Sequence, residues 1–161
     1  MFTIHSIATV YNERKTTEDV YWGNVLSEIR LDKEWDPSCL DGIESFSHVE
    51  ILYVFHLVQD ESIQYASRHP RNNKDYPKVG IFAQRGKNRP NKIGATIVEL
   101  IKREGNTLTV KGLDAIDGTP VIDMKPVMKE FLPKGEPKQP EWASELMIHY
   151  WEYMYTSSLK E

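Results

Sequence analysis

Two arginines four residues apart, Arg85 and Arg89, stand with Asn88 and Asn91 in a glycine-bearing stretch over residues 79–94. Guanidinium groups offer forked donors that match a carboxylate or a phosphate. Asparagine amides read a base edge or brace a turn, and glycine lets a ligand approach the backbone closely. A basic hairpin loop without a ligand is the plainer account of the same residues. A second stretch, residues 113–126, carries Asp114, Asp117 and Asp123 around Asp117-Gly118-Thr119-Pro120. Three carboxylates so close can meet a cation, hold hydroxyls or take a proton. Turn chemistry accounts for Asp117-Gly118, and a surface pair accounts for Asp123 with Lys125, but neither explains why three aspartates crowd one unit.

Other chemistries find less support. His48 and His56 lie at even spacing on one strand, yet eight residues at ~3.3 Å each hold them about 26 Å apart, so they do not share a metal ion. No metal site is expected. Cys39 is the only cysteine; with no base beside it in the sequence it reads as a half-buried structural thiol, and its solitude fits a reducing compartment. There is no P-loop and no G-x-G-x-x-G after a strand, which removes the usual α/β nucleotide sites.

Charge sharpens the picture. The chain has 161 residues and a formal net charge of −4. Between Arg68 and Lys92 lie eight basic residues and one acid, a net +7, which leaves −11 for the remainder. A chain polarised in this way attracts an anion locally while staying acidic overall. No apolar run approaches the ~20 residues of a membrane span, and the N-terminus lacks the basic start and apolar stretch of a signal peptide. The expectation is a cytoplasmic protein with no membrane association.

The elements that must position these residues are mostly strands. Apolar and polar residues alternate over 2–10 and again over 25–31, where Val25, Ile29 and Leu31 oppose Glu28 and Arg30. Residues 49–57 form a nearly continuous apolar run, the mark of a central strand covered on both faces. Residues 93–101 and 107–113 flank Arg103-Glu104-Gly105-Asn106, a hairpin signal, and 119–124 makes another short strand. Helix evidence is confined to the end, where Pro140 suits a first helical position and Trp142, Leu146, Tyr150 and Met154 recur every four residues. Two long irregular stretches, 34–47 and 61–78, have the length of functional loops. The pattern predicts a mainly β chain: one antiparallel β-barrel domain over residues 1–133, then a linker and C-terminal helix over 134–161.

Several blocks together resemble the TsaA/TrmO family of S-adenosylmethionine-dependent tRNA methyltransferases, which act on N6 of threonylcarbamoyladenosine at position 37. They are Gly42-Ile43-Glu44-Ser45-Phe46-Ser47-His48, Val54-Phe55-His56, Gly80-Ile81-Phe82-Ala83-Gln84-Arg85, Asn88-Arg89-Pro90-Asn91, Ile93-Gly94, and the run from Asp117 through Pro126. The blocks occur in family order across residues 2–126. Departures include Lys92 where a proline is common and Val127 where a tyrosine is usual. The resemblance implies a β-barrel rather than the doubly wound methyltransferase fold, working as a homodimer with the cofactor near the subunit interface. It also implies that His56, Leu57, Arg85, Ala95 and the Ile116-Asp117-Gly118-Thr119 turn line the cofactor site, with Trp22 contributing from the N-terminal stretch.

Physical chemistry is consistent with that assignment. An aromatic face such as Trp22 or Phe82, or the carboxylate of Asp117, suits a sulfonium cation, and Arg85 suits the cofactor carboxylate. Asp114, Asp117 and Asp123 all stand as general-base candidates, with no choice among them. Arg68, Arg71, Lys87 and Arg89 are the expected contacts to the backbone of the tRNA anticodon loop. Two other readings stay open at this level: a related methyltransferase acting on a small molecule, and a non-catalytic module that binds S-adenosylmethionine or RNA.

Overall fold

The computed structural model describes residues 1–152. Strand β1 (Ala8–Tyr11) buries Ala8 and Val10, and β2 (Leu26–Leu31) buries Ser27, Ile29 and Leu31. Strand β3 (His48–Val54) turns Val49, Ile51 and Tyr53 inward. After a short ribbon of β4 (Ser67–Arg68) and β5 (Val79–Gly80), β6 (Ile93–Glu104) buries Gly94, Thr96 and Val98. Strands β7 (Thr107–Lys111) and β8 (Pro120–Pro126) add Leu108, Val110 and Val121. Six strands close into a barrel in the order β1-β2-β7-β6-β3-β8 with every pair antiparallel. Alternate residues fill its interior, and closure removes the unpaired edges an open sheet would expose.

The expected mainly β barrel with a C-terminal helix is the fold observed, with local differences that have physical causes. Residues before Ala8 do not extend β1. Ala8 pairs with Leu31, the last residue of β2, and pairing with β8 also ends there at Val121, so Phe2 and Ile4 lie outside both ladders and stay exposed. The apolar run over 49–57 is covered on one face only, because the barrel has one interior; Glu50, Leu52 and Val54 lie half-buried outside. The strand stops at Val54, and the Phe55 N–H donates to the Lys92 carbonyl at 2.8 Å as the chain leaves the barrel. The hairpin between β6 and β7 turns on Gly105 at φ +61°. Helix α1 (Glu141–Leu146) buries none of its residues; Pro140 sits just before it as its cap residue, and Met154 lies outside the described residues. Cys39 is exposed rather than half-buried. No helix of the described residues is long and apolar enough to cross a membrane.

Antiparallel closure sorts the connections by end. The end of β1, the start of β2, the end of β7, the start of β6, the end of β3 and the start of β8 meet at one rim. From it emerge the segments 12–25, 55–92 and 112–119. The segment 32–47 and the β6–β7 turn lie at the opposite rim.

Candidate active site at one rim of the barrel

At the rim that carries the three segments, polar groups enter an otherwise apolar interior. Tyr53, the last inward residue of β3, lies opposite Gly94 of β6. A Cβ at Gly94 would come within 2.5 Å of the tyrosine ring, so only glycine leaves that ring its seat. Leu113 and Ala115 are buried on either side of Asp114 and fix its backbone, with the Ala115 carbonyl accepting from Asn12 Nδ2 at 2.8 Å. Asp114 Oδ1 accepts from Thr96 Oγ1 at 2.5 Å and from Tyr53 Oη at 3.1 Å. Asp114 Oδ2 accepts from Tyr150 Oη, which arrives from beyond α1. Burial first, and then the Asp114 charge, push the Tyr53 and Tyr150 hydroxyls well above the usual tyrosine range. Both therefore remain donors at any ordinary pH, and the carboxylate is gripped from three sides.

Beside this cluster the structure brings Arg85 and Ala95 together: Arg85 Nη2 donates to the Ala95 carbonyl at 2.6 Å, one residue from Thr96. Arg85 is exposed, so its guanidinium still faces solvent. The Ile116–Thr119 turn is stitched to the N-terminal segment, with Gly118 N–H donating to Val10 O and Asp117 N–H to Arg14 O. Gly118 holds φ +83°, and Thr119 Oγ1 closes the turn onto Ile116 O at 2.7 Å. His56 and Leu57 are exposed just past β3, and Phe82 is 80% exposed nearby in sequence to Arg85. Trp22 is buried, its Nε1 donates to Glu18 O at 2.7 Å, and the Arg14 guanidinium lies 3.9 Å from its ring centroid. One aromatic face of Trp22 is thus already taken by a cation, whereas Phe82 keeps its ring in solvent.

The three aspartates part company. Asp114 lies in the hydroxyl cluster. Asp117 forms an ion pair with Lys15 at 2.7 Å and accepts from the Asn12 N–H; these bonds hold its carboxyl below the usual carboxylate range. Asp123 pairs with Lys125 at 2.6 Å and lines a groove of about 610 Å³ shared with Ile7, Leu40, Ile43 and Phe46, residues of the other rim and its approaches.

The basic stretch is built into the 55–92 segment to different degrees. Arg89 Nη1 donates to Gln84 O at 2.7 Å and Arg68 Nη2 to Asn72 Oδ1 at 2.9 Å, so both shape the segment itself. Arg71 reaches Asp19 at 3.5 Å and Lys87 reaches Thr17 at 3.3 Å, tying 55–92 to 12–25. Thr96, Tyr53 and Tyr150 had no place among the residues expected from sequence. The signal for the first two is a hydroxyl on an inward strand position, which must find a partner once buried.

A family model described as the tRNA-methyltransferase O N-terminal domain matches residues 7–131. Over 92 residues the chain is 45% identical to a human protein named tRNA (adenine(37)-N6)-methyltransferase, covering 57% of this chain and 20% of the relative. Over 104 residues it is 40% identical to a Methanothermobacter thermautotrophicus protein named a probable S-adenosyl-L-methionine-binding protein, covering 65% of this chain and 71% of the relative. The crystal structure of TrmO from Pseudomonas aeruginosa shares the fold, with a TM-score of 0.67 at 24% identity over 86% of this chain and 61% of that one. The chain spans about a fifth of the length of the mammalian relatives it matches.

Proposed function

The chain belongs to the tRNA-methyltransferase O N-terminal domain family, and from that premise we propose that it methylates N6 of threonylcarbamoyladenosine at tRNA position 37, using S-adenosylmethionine. The observation that carries this reading is the Asp114 carboxylate, gripped by Thr96, Tyr53 and Tyr150 at the rim where Arg85 and the Ile116–Thr119 turn also lie. The donor set fits the cofactor: an exposed guanidinium at Arg85 for its carboxylate, and the exposed Phe82 ring and backbone carbonyls of the turn for its cationic sulfur. His56, Leu57 and Ala95 would complete its surroundings. When bound, S-adenosylmethionine supplies a methyl group whose C–S bond breaks as the acceptor N–C bond forms, leaving a neutral thioether.

With the leaving group already activated, the protein has two tasks: positioning the acceptor nitrogen and receiving its proton. Asp114 Oδ2 is assigned the proton. Of the three aspartates, Asp117 is neutralised by Lys15 and Asp123 by Lys125. Lys87 and Arg71, with Arg68 and Arg89 behind them, would meet the phosphates of the anticodon loop, in a salt-dependent contact. Work as a cytoplasmic homodimer belongs to the same reading; the exposed Leu57 and Phe82 supply apolar surface for a second subunit near the cofactor.

Calorimetric titration with S-adenosylmethionine tests the cofactor, and the mass of the position-37 nucleoside from cells with and without the gene tests the acceptor. A clear heat and a mass difference of one methyl group are expected. An unchanged mass removes tRNA as the substrate even if the cofactor binds.

A further inference from the structure

The two oxygens of Asp114 are held by different kinds of neighbour. Oδ1 is fixed by Thr96 and Tyr53, which belong to barrel strands β6 and β3. Among the described residues, Oδ2 is held by Tyr150 alone, on a segment that returns to the rim after α1. We propose that segment 147–151 is an internal occupant of the acceptor position: Tyr150 Oη holds the oxygen that a substrate N–H would use, and an incoming RNA loop exchanges with it by lifting the segment. The inference rests on the reading of Asp114 as the proton acceptor.

The segment is built to be exchanged. Its backbone anchors are two hydrogen bonds from the 12–25 segment, Tyr21 N–H to His149 O and Trp22 N–H to Tyr150 O, each 2.9 Å. Tyr21 holds φ +60°, a left-handed conformation tyrosine rarely adopts, which release would relax. No residue of α1 is buried, and Ile148, His149 and Trp151 are exposed, so within the segment lifting uncovers only the half-buried Met147 and Tyr150. Residues 139–152 include Glu141, Glu145 and Glu152 and no lysine or arginine. This acidic stretch comes near the basic one at one point, where the Trp142 ring lies 6.4 Å from that of Tyr76. A polyanion drawn to residues 68–92 would therefore meet like charge at Glu141, Glu145 and Glu152, on either side of the segment.

Amide hydrogen exchange on the full chain tests the exchange directly, because the Tyr21 and Trp22 N–H groups are protected by the segment. Adding an anticodon stem-loop RNA that carries threonylcarbamoyladenosine at position 37 should speed exchange at both amides at least tenfold. Tyr150→Phe should speed it without RNA and lower the KM for that RNA at least threefold, while S-adenosylmethionine affinity stays the same. Trp142→Ala should act in the same direction. RNA that binds in titration while both amides keep their protection overturns the exchange alone; RNA that does not bind overturns the tRNA reading and the exchange with it. A Tyr150→Phe enzyme with reduced kcat and unchanged KM would make Tyr150 a positioning residue and overturn the occupant role.

Discussion

The rim that gathers segments 12–25, 55–92 and 112–119 and the rim that carries segment 32–47 close the same barrel in opposite ways. At the first, Gly94 leaves room for Tyr53, and the hydroxyls of the inward Tyr53 and Thr96 converge on a carboxylate. At the second, Leu31 and Leu40 are buried beside Ile43 and Phe46, and the covering segment is pinned from outside by Arg103, which reaches Asp41 at 3.0 Å, Glu44 at 3.4 Å and Pro37 O at 2.9 Å. Apolar packing with a peripheral ionic clamp is a stability device. Convergent polar groups under exposed loops are costly to bury and are retained where chemistry uses them. The barrel therefore keeps an apolar, ionically clamped end apart from an end where polar groups converge.

That division can be broken at several points. The largest effect is expected at the packed rim: Leu40→Ala should lower unfolding stability in urea by about 2–5 kcal/mol while the folded fraction binds S-adenosylmethionine normally. A matching loss of affinity would erase the distinction between the ends. At the polar rim, Asp114→Asn should reduce methyl transfer about a hundredfold or more, the scale of a lost general base, with cofactor titration unchanged. The same swap at Asp123, a part-exposed pair on the other side, should leave turnover within about twofold. Gly94→Ala should cost about 1–3 kcal/mol, because the Tyr53 ring must move, and transfer should fall with it.

Arg85→Ala should weaken S-adenosylmethionine binding about tenfold, or about 1.4 kcal/mol; wild-type affinity in calorimetry would remove that residue from the cofactor site. The smallest effect concerns acid. The Lys15 bond, then the Asn12 N–H, depress the Asp117 carboxyl, so its folded value lies below its unfolded one. The stability this contributes is complete above the unfolded value of about 3.9 and disappears as pH falls through the lower folded value. Lys15→Ala should lower stability slightly at neutral pH, leave it nearly unchanged in strong acid, and so shrink the loss seen on acidifying below about pH 4.

Much of the architecture was legible in local pattern. Alternation over 25–31 and 107–113 identified strands because a barrel, like an open sheet, buries every second residue. The hairpin at Gly105 followed from turn chemistry. Residues 2–6 misled because alternation reports a suitable face, whereas a strand also has to be paired, and the ladders to β2 and β8 both end at Ala8. Within the site, Arg85 and Asp114 could be singled out by type. That Arg85 stays exposed while Arg89 is half-buried on loop carbonyls, and that Asp117 and Asp123 have lysine partners while Asp114 meets hydroxyls, required the partners to be seen.

The sequence by itself determined the six barrel strands and most of their alternation, the basic stretch inside an acidic chain, and the family blocks, since each depends on neighbours within a few residues. Only the tertiary structure decided that Asp114 rather than its neighbours meets three hydroxyls, that Gly94 makes room for Tyr53, and that Tyr150 returns to the rim from 36 residues away in sequence. Barrel closure sets those meetings: it fixes which strand ends share a rim, and contacts between residues far apart in sequence leave no spacing to read.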